Sequence, residues 1–218
     1  MLITIDGPSG VGKGTVAKII SSRLGIQYLD SGAMYRALAL FADLKGIKCD
    51  DDIRLKRLII DIHIQFIKDD NGEDRVMLNA DDVTEDIRTN EISKLASEYA
   101  SIEIVRGVLR EMQKRLVRNK DYIAEGRDMG TYVFPNADFK FYLDADPEVR
   151  AERRSQQLTK MLGMKFNKDR ILEEINQRDN LDKTRDICPL HPADDAVIID
   201  TTSLSIDEVV EEVHKRVK

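Results

Sequence analysis

The sequence predicts an α/β fold: a five-stranded parallel sheet flanked by helices, with an inserted antiparallel β unit and a short helical lid. Three observations predict it. Five short apolar runs of the buried-strand type alternate with helix-patterned segments, the wiring that a parallel sheet requires. A glycine-rich loop separates the first run from the first helix. One stretch interrupts the alternation with a hairpin signature.

Leu2 to Asp6 is the first strand, and Gly7-Pro-Ser-Gly-Val-Gly-Lys-Gly-Thr15 follows it at once. Val16, Ile19, Ile20 and Leu24 then fall on one helical face, and Gly25 stands where helices stop. Ile26 to Leu29 is the second strand. Asp30 or Ser31 caps the next helix, which runs through Tyr35, Leu38 and Leu44 to Gly46. In the middle, Ile62–Ile67 and Val76–Leu78 flank the turn Asp70-Asn-Gly72, a hairpin placed in an insertion of about residues 60–82. Ile102 to Val117 is a long amphipathic helix whose apolar side carries Ile104, Val105, Val108, Leu109, Met112 and Leu116.

Tyr122–Ala124, Phe139–Leu143 and Ala196–Ile199 complete the sheet. Between the last two, Pro147 to Arg185 is basic and polar, and reads as two poorly buried helices joined by a loop at Gly163. Ser205-Ile-Asp-Glu208 is a capping box opening the final helix. With no Pro/Gly linker or repeat, residues 1–218 are expected to form a single domain. Within it, 31–105 forms the acceptor-binding region and 150–168 the lid.

The chain has 218 residues with 34 basic and 40 acidic side chains, a net charge of −6. That balance argues against binding duplex nucleic acid, which needs a surplus of Lys and Arg along a phosphate track. No apolar run approaches the roughly 20 residues of a membrane helix. A strand starting at Leu2 is expected to leave no room for a signal peptide. Cys49 and Cys188 are too few for a disulfide framework or a zinc site, so two reduced thiols in a cytoplasm are expected.

Chemistry concentrates first in Gly7-x-x-x-x-Gly12-Lys13. Glycines let backbone N–H groups converge on phosphate oxygens, the helix N-terminus adds its dipole, and Lys13 reaches the β and γ oxygens. Gly7, Pro8, Ser9, Gly10, Val11, Gly12, Lys13, Gly14 and Thr15 are therefore the candidate nucleotide-phosphate site. Where the pattern expects a Ser or Thr for Mg²⁺ right after the lysine, Gly14 stands instead, with Thr15 one place on. Thr15 is the candidate metal contact, alongside water and phosphate oxygens. The loop alone does not separate a kinase from a GTPase. Guanine recognition by Asn-Lys-x-Asp is absent, because Asn167-Lys-Asp-Arg170 has Arg where Asp must stand.

A kinase needs a second anion site that sets an acceptor in line with the donor, and arginine's planar fork suits a phosphate. Arg36, Arg127, Arg178 and Arg185 are candidates. Arg36 and Arg127 follow strand ends, the ligand-binding edge of a parallel sheet. Arg150, Arg153 and Arg154 open the basic segment, where a closing lid would bring them over the transferring group; Arg154 is taken as the catalytic one. His63, His191 and His214 suggest no catalysis.

Five blocks make the chain resemble the bacterial cytidylate (CMP) kinases, a branch of the P-loop nucleoside-monophosphate kinases. They are Ile5–Thr15, Leu29-Asp-Ser-Gly-Ala-Met-Tyr-Arg36, Asp82-Val-Thr-Glu-Asp-Ile-Arg88, Glu125-Gly-Arg-Asp-Met-Gly-Thr131 with Val133-Phe-Pro135, and Pro189-Leu190 ahead of Ala193–Ala196. The resemblance implies ATP and Mg²⁺ as donor and cofactor, CMP and dCMP as acceptors, and a cytoplasmic monomer without nucleic-acid or membrane partners. It implies catalytic roles for Lys13, Arg127, Asp128 and Arg154. Ser31, Arg36, Arg127 and Arg185 would surround the CMP phosphate, Ser97, Arg106 and Asp128 would read cytosine, and Asp182 with Arg178 would lie near the sugar. It also implies a β-rich unit inserted in the acceptor region. Two positions depart from the pattern: Glu125, where Asp is usual, and Tyr132, where a small aliphatic is common.

The chemistry of the base supports that reading. Cytosine offers an exocyclic amine where uracil has a carbonyl, and an ionised carboxylate only accepts, so Asp128 beside the Ser97 hydroxyl selects the amine. The alternatives are a related kinase preferring UMP or a broader set, a small-molecule P-loop kinase of the shikimate or gluconate type, and a non-catalytic nucleotide-binding module.

Overall fold

In the computed structural model, which describes residues 1–163 and 166–217, strand β1 (Leu2–Asp6) is buried and lies at the centre of a parallel sheet. The sheet is completed by β2 (Gln27–Asp30), β6 (Tyr122–Gly126), β7 (Phe139–Asp144) and β8 (Val197–Asp200), in the order β2-β6-β1-β7-β8. Asp6 pairs in register with Gly126 on one side and Tyr142 on the other, so the loops after β1 and β6 leave the same edge of the sheet. The five strands expected from the apolar runs are all present, with no end shifted by more than two residues.

The chain divides into two compact units, Met1–Asp30 with Val117–Lys218, and Ser31–Leu116. In the first, α1 (Lys13–Leu24) and α8 (Ile206–His214) cover the sheet with Val16, Ile20, Val209, Val210 and Val213, against Ile3, Ile5, Ile123, Phe141 and Leu143. Burying such a set removes apolar surface from water at roughly 25 cal/mol per Å², the main stabilising contribution of the unit. Gly25 ends α1 in the left-handed conformation at φ +64, and the Ser205–Glu208 capping box opens α8 as expected.

Two further helices of this unit, α6 (Pro147–Leu162) and α7 (Lys168–Thr184), pack on each other around Ala151, Leu158, Ile171 and Ile175. Most of their remaining residues are exposed or half-buried, as expected. Besides this small core, Arg150, Asp179 and Asp182 are buried, because opposite charges from α6, α7 and the β6 edge compensate one another. Residues 164 and 165 of the expected lid lie outside the described residues, as does Lys218.

The second unit carries α2 (Ser31–Leu44), α3 (Asp52–Asp61), α4 (Asn90–Tyr99) and α5 (Glu103–Val117). Its antiparallel sheet is β3 (Ile64–Lys68), β4 (Asp74–Leu78) and the two-residue β5 (Asp81–Asp82). The hairpin turn is as expected, with Gly72 at φ +77. Helix α3 was not expected; Asp51 caps it by accepting from the Arg54 N–H, and Leu55, Leu58 and Ile59 bury one face. Helix α2 packs against α4 and β4.

Candidate active site

The loop after β1 is built for an anion. Gly7, Gly10 and Gly12 have φ of +146, +81 and +93, which L side chains rarely adopt, and a Cβ on Gly7 would meet the Leu143 carbonyl oxygen at 2.1 Å. Gly12 caps α1 with no side chain of its own to bond the N–H groups of the first turn. Val11 is anchored in the core. Thr15 is exposed in that first turn. These residues fit a nucleotide's phosphates. Among the described residues, no cluster of three His, Cys, Asp or Glu side chains stands as a metal site.

Lys13 is 5% exposed, and its Nζ donates to the Pro8 carbonyl at 2.7 Å. Burial, followed by the positive charges of Arg127 and Arg178, lowers its pKa to about 7, against the opposing pull of Glu125 and Asp6. A buried lysine flanked by two guanidiniums gains from a bound anion, which suits a phosphate site.

Beyond β6 the chain makes one wide turn over Met129–Val133, and the carboxylate of Asp6 fastens it by accepting the N–H groups of Met129 at 2.8 Å and Gly130 at 2.7 Å. Asp6 is buried, and that burial raises its pKa to about 7 even though the two amides oppose the shift. The turn places Arg127 and Asp128 at its start. Asp128 is 3% exposed, and its backbone carbonyl accepts from Tyr132 and Val133.

Arg127 does not take Asp128 as its partner. Its Nε donates to Asp182 Oδ2 at 2.8 Å, and Arg185 Nη1 reaches Asp182 Oδ1 at 3.4 Å. Arg185 Nε also donates to the Cys188 carbonyl at 2.7 Å. Although burial works the other way, the charges of Arg127, Arg178 and Arg185 hold the Asp182 carboxyl below the usual range. The first unit thus brings Lys13, Arg127, Arg178, Asp182 and Arg185 into one electrostatic network. The departure at Glu125 gains a context: its Oε1 accepts from Tyr28 Oη at 3.2 Å and lies 3.1 Å from where a Gly14 Cβ would stand.

Of the three expected lid arginines, two are engaged within the first unit. Arg150 Nη1 donates to the Ser9 carbonyl at 3.0 Å and to Asp179. Arg153 donates to Thr201 and to the Leu204 carbonyl. Both arginines are thus held by neighbouring elements of the first unit. Arg154 is half-buried on α6 and donates to Gln157 Oε1 at 3.0 Å.

In the second unit, Ser31 is buried at the start of α2 and Arg36 is half-buried one turn on. Ser97 Oγ donates to the Ser93 carbonyl at 3.2 Å, and its lone pairs can accept a further donor. Arg106 is 2% exposed, donates to the Ala100 carbonyl at 2.9 Å and lies 5.6 Å from the Tyr35 ring centroid, a cation–π distance. Asp6 and Asp179 were not singled out from sequence. The available signals were Asp6 directly ahead of the glycine loop, and Asp179 three residues before Asp182 on one face of α7.

The family model described as cytidylate kinase matches residues 3–218. The cytidylate kinase of Pasteurella multocida is 46% identical, with 96% of this chain and 92% of that protein covered. Cytidylate kinase 1 of Haemophilus influenzae is also 46% identical, over 97% of this chain and 91% of the other. The crystal structure of an uncharacterized protein from Eubacterium ventriosum shares the fold at a TM-score of 0.52 and 10% identity, covering all of this chain and 97% of its own. The glycine loop, the arginine network around Asp182 and full-length similarity agree: this chain belongs to the cytidylate kinase family.

Proposed function

We propose that this protein transfers the γ-phosphoryl group of ATP to CMP and dCMP, forming ADP and the nucleoside diphosphates, as a cytoplasmic monomer. The observation that carries the reading is the glycine loop, whose positive-φ Gly7, Gly10 and Gly12 lead into a buried Lys13, with Arg127 and Arg178 adding positive charge beside it. Two phosphate-bearing substrates would relieve that crowding of cations.

The acceptor is already a phosphate oxygen anion, so the reaction needs no general base. The protein must hold two anions in line, offset their repulsion and keep water away. Lys13 and the amides of Gly10 to Thr15 take the donor phosphates. Mg²⁺, held by phosphate oxygens, water and Thr15, would neutralise charge on the donor. Arg127 and Arg185, oriented by Asp182, receive the acceptor phosphate together with Ser31 and Arg36. Arg178 and the remaining lone pairs of Asp182 serve the sugar side, and Arg154 serves the transferring group. Asp128 and Ser97 read the cytosine amine as acceptors, and Arg106 donates to the ring nitrogen and carbonyl.

An ADP-release assay against CMP, dCMP, UMP, AMP, shikimate and gluconate tests this. Turnover concentrated on CMP and dCMP is expected, and turnover concentrated on any other acceptor refutes it.

A further inference from the structure

The glycine loop is gripped at one peptide by side chains from two helices. The Ser9 N–H donates to Asp179 Oδ1 at 3.4 Å, and the Ser9 carbonyl accepts from Arg150 Nη1 at 3.0 Å. The same Nη1 donates to Asp179 Oδ2, closing a ring in which one ion pair takes both backbone groups of Ser9. Arg150 Nε is fixed in turn on the Ala145 carbonyl at 2.9 Å. Next door, a Cβ on Gly10 would meet Arg150 Cβ at 3.3 Å and the Arg150 carbonyl oxygen at 3.4 Å, so the first turn of α6 rests on the loop backbone itself.

The two side chains are 4% and 8% exposed. A buried ion pair loses most of its attraction to desolvation, and apolar replacements are often as stable, so stability alone is a weak reason for this one. Position supplies a better reason. Asp179 lies three residues before Asp182 on α7; one carboxylate holds the donor loop and the other holds Arg127 and Arg185.

We infer that Arg150 and Asp179 are positioning residues for the donor site. They fix the Ser9 peptide so that the amides from Gly10 onward converge on the ATP phosphates, and α7 sets that loop in register with the Arg127–Asp182–Arg185 cluster. The inference rests on the reading that the Gly7–Thr15 loop takes ATP.

Replacing the pair by Arg150→Met with Asp179→Leu separates positioning from bulk stability. The double variant is expected to melt close to the wild type, as apolar replacements of buried pairs do. Its Kd for MgATP is expected to rise about 10-fold or more and kcat to fall by up to about 10²-fold, the scale of an ångström-level misplacement. The KM for CMP is expected to change far less. A folded double variant with wild-type ATP affinity and turnover overturns the inference. Asp179→Asn keeps shape and volume but leaves one acceptor oxygen where the Ser9 N–H and Arg150 each use one; if the double variant does not fold, unchanged MgATP affinity in Asp179→Asn overturns it instead. Failure of the wild-type protein to bind MgATP would sink the ATP reading itself, a separate outcome from either variant's.

Discussion

Lys13 Nζ donates to the carbonyl of Pro8, a residue of its own loop, at 2.7 Å. The ammonium is thus parked on a neutral acceptor inside the loop, and phosphate oxygens would offer it a charged one. Lys13→Met removes a charge-assisted contact that strengthens as charge develops on the transferring group. A loss mainly in kcat, about 10²-fold or more, is expected from steady-state kinetics. Near-normal turnover with only a higher KM for ATP would show that Lys13 merely binds.

The depressed Lys13 pKa gives ATP binding a proton signature. In the free protein, burial and the neighbouring guanidiniums bring Lys13 to about 7. Bound phosphates add negative charge and push it back up, so the complex takes up a proton wherever the free lysine is neutral. Uptake should approach about one proton near pH 8 and vanish below about pH 6. Calorimetric titration with MgATP in buffers of different ionisation enthalpy measures it. Zero uptake at pH 8 would contradict the assignment.

Arg127 and Asp182 form a largely buried pair, 18% and 7% exposed. Truncating Arg36, Arg127 or Arg185 to Ala should weaken CMP far more than ATP, by roughly 2–5 kcal/mol for a desolvated charge pair. Arg127→Lys should not rescue, since Asp182 takes the guanidinium Nε and a lysine offers no fork. Equal damage to both substrates would contradict an acceptor-side role.

Gly14 and Glu125, the two departures nearest the loop, are neighbours in space. A Gly14→Ser change would bring a Cβ to 3.1 Å from Glu125 Oε1, whereas the Glu125→Asp side chain withdraws by one methylene. Gly14→Ser should therefore cost more activity in the native background than alongside Glu125→Asp, with a coupling of about 0.5 kcal/mol or more in a double-mutant cycle. Additive effects would show that the contact is slack.

The parallel sheet was legible because each strand is a short apolar run with turn residues behind it. So were the hairpin at Gly72 and the box at Ser205, whose signals lie within a few residues. Helix α3 was not, because exposed Ile53 and Ile60 blur the face that Leu55, Leu58 and Ile59 bury, and only the Asp51 cap marks its start. The site was legible where it is local, as in Gly7–Thr15. Contacts made by the tertiary fold left no local trace: Asp6 reaches amides over 120 residues away, Arg127 finds Asp182 55 residues on, and Arg150 meets Asp179 across 29. Ser97 and Arg106 read as ordinary helix residues until Ser93 and Tyr35 supply their partners.

Base choice tests the central claim most directly. Uracil would set its carbonyl against the Asp128 carboxylate, an acceptor facing an acceptor. A site built to hydrogen-bond a group rejects the analogue lacking it by up to about 10⁴–10⁵, so even with some rearrangement CMP should exceed UMP by at least about 10²-fold in kcat/KM, with dCMP remaining a good substrate. Asp128→Asn supplies an amide donor to the uracil carbonyl, and the ratio should fall about 10-fold or more, mostly through loss on CMP. The measurement is kcat/KM for CMP and UMP on wild type and Asp128→Asn; equal use of the two by the wild type, or full discrimination kept by the variant, would contradict the account.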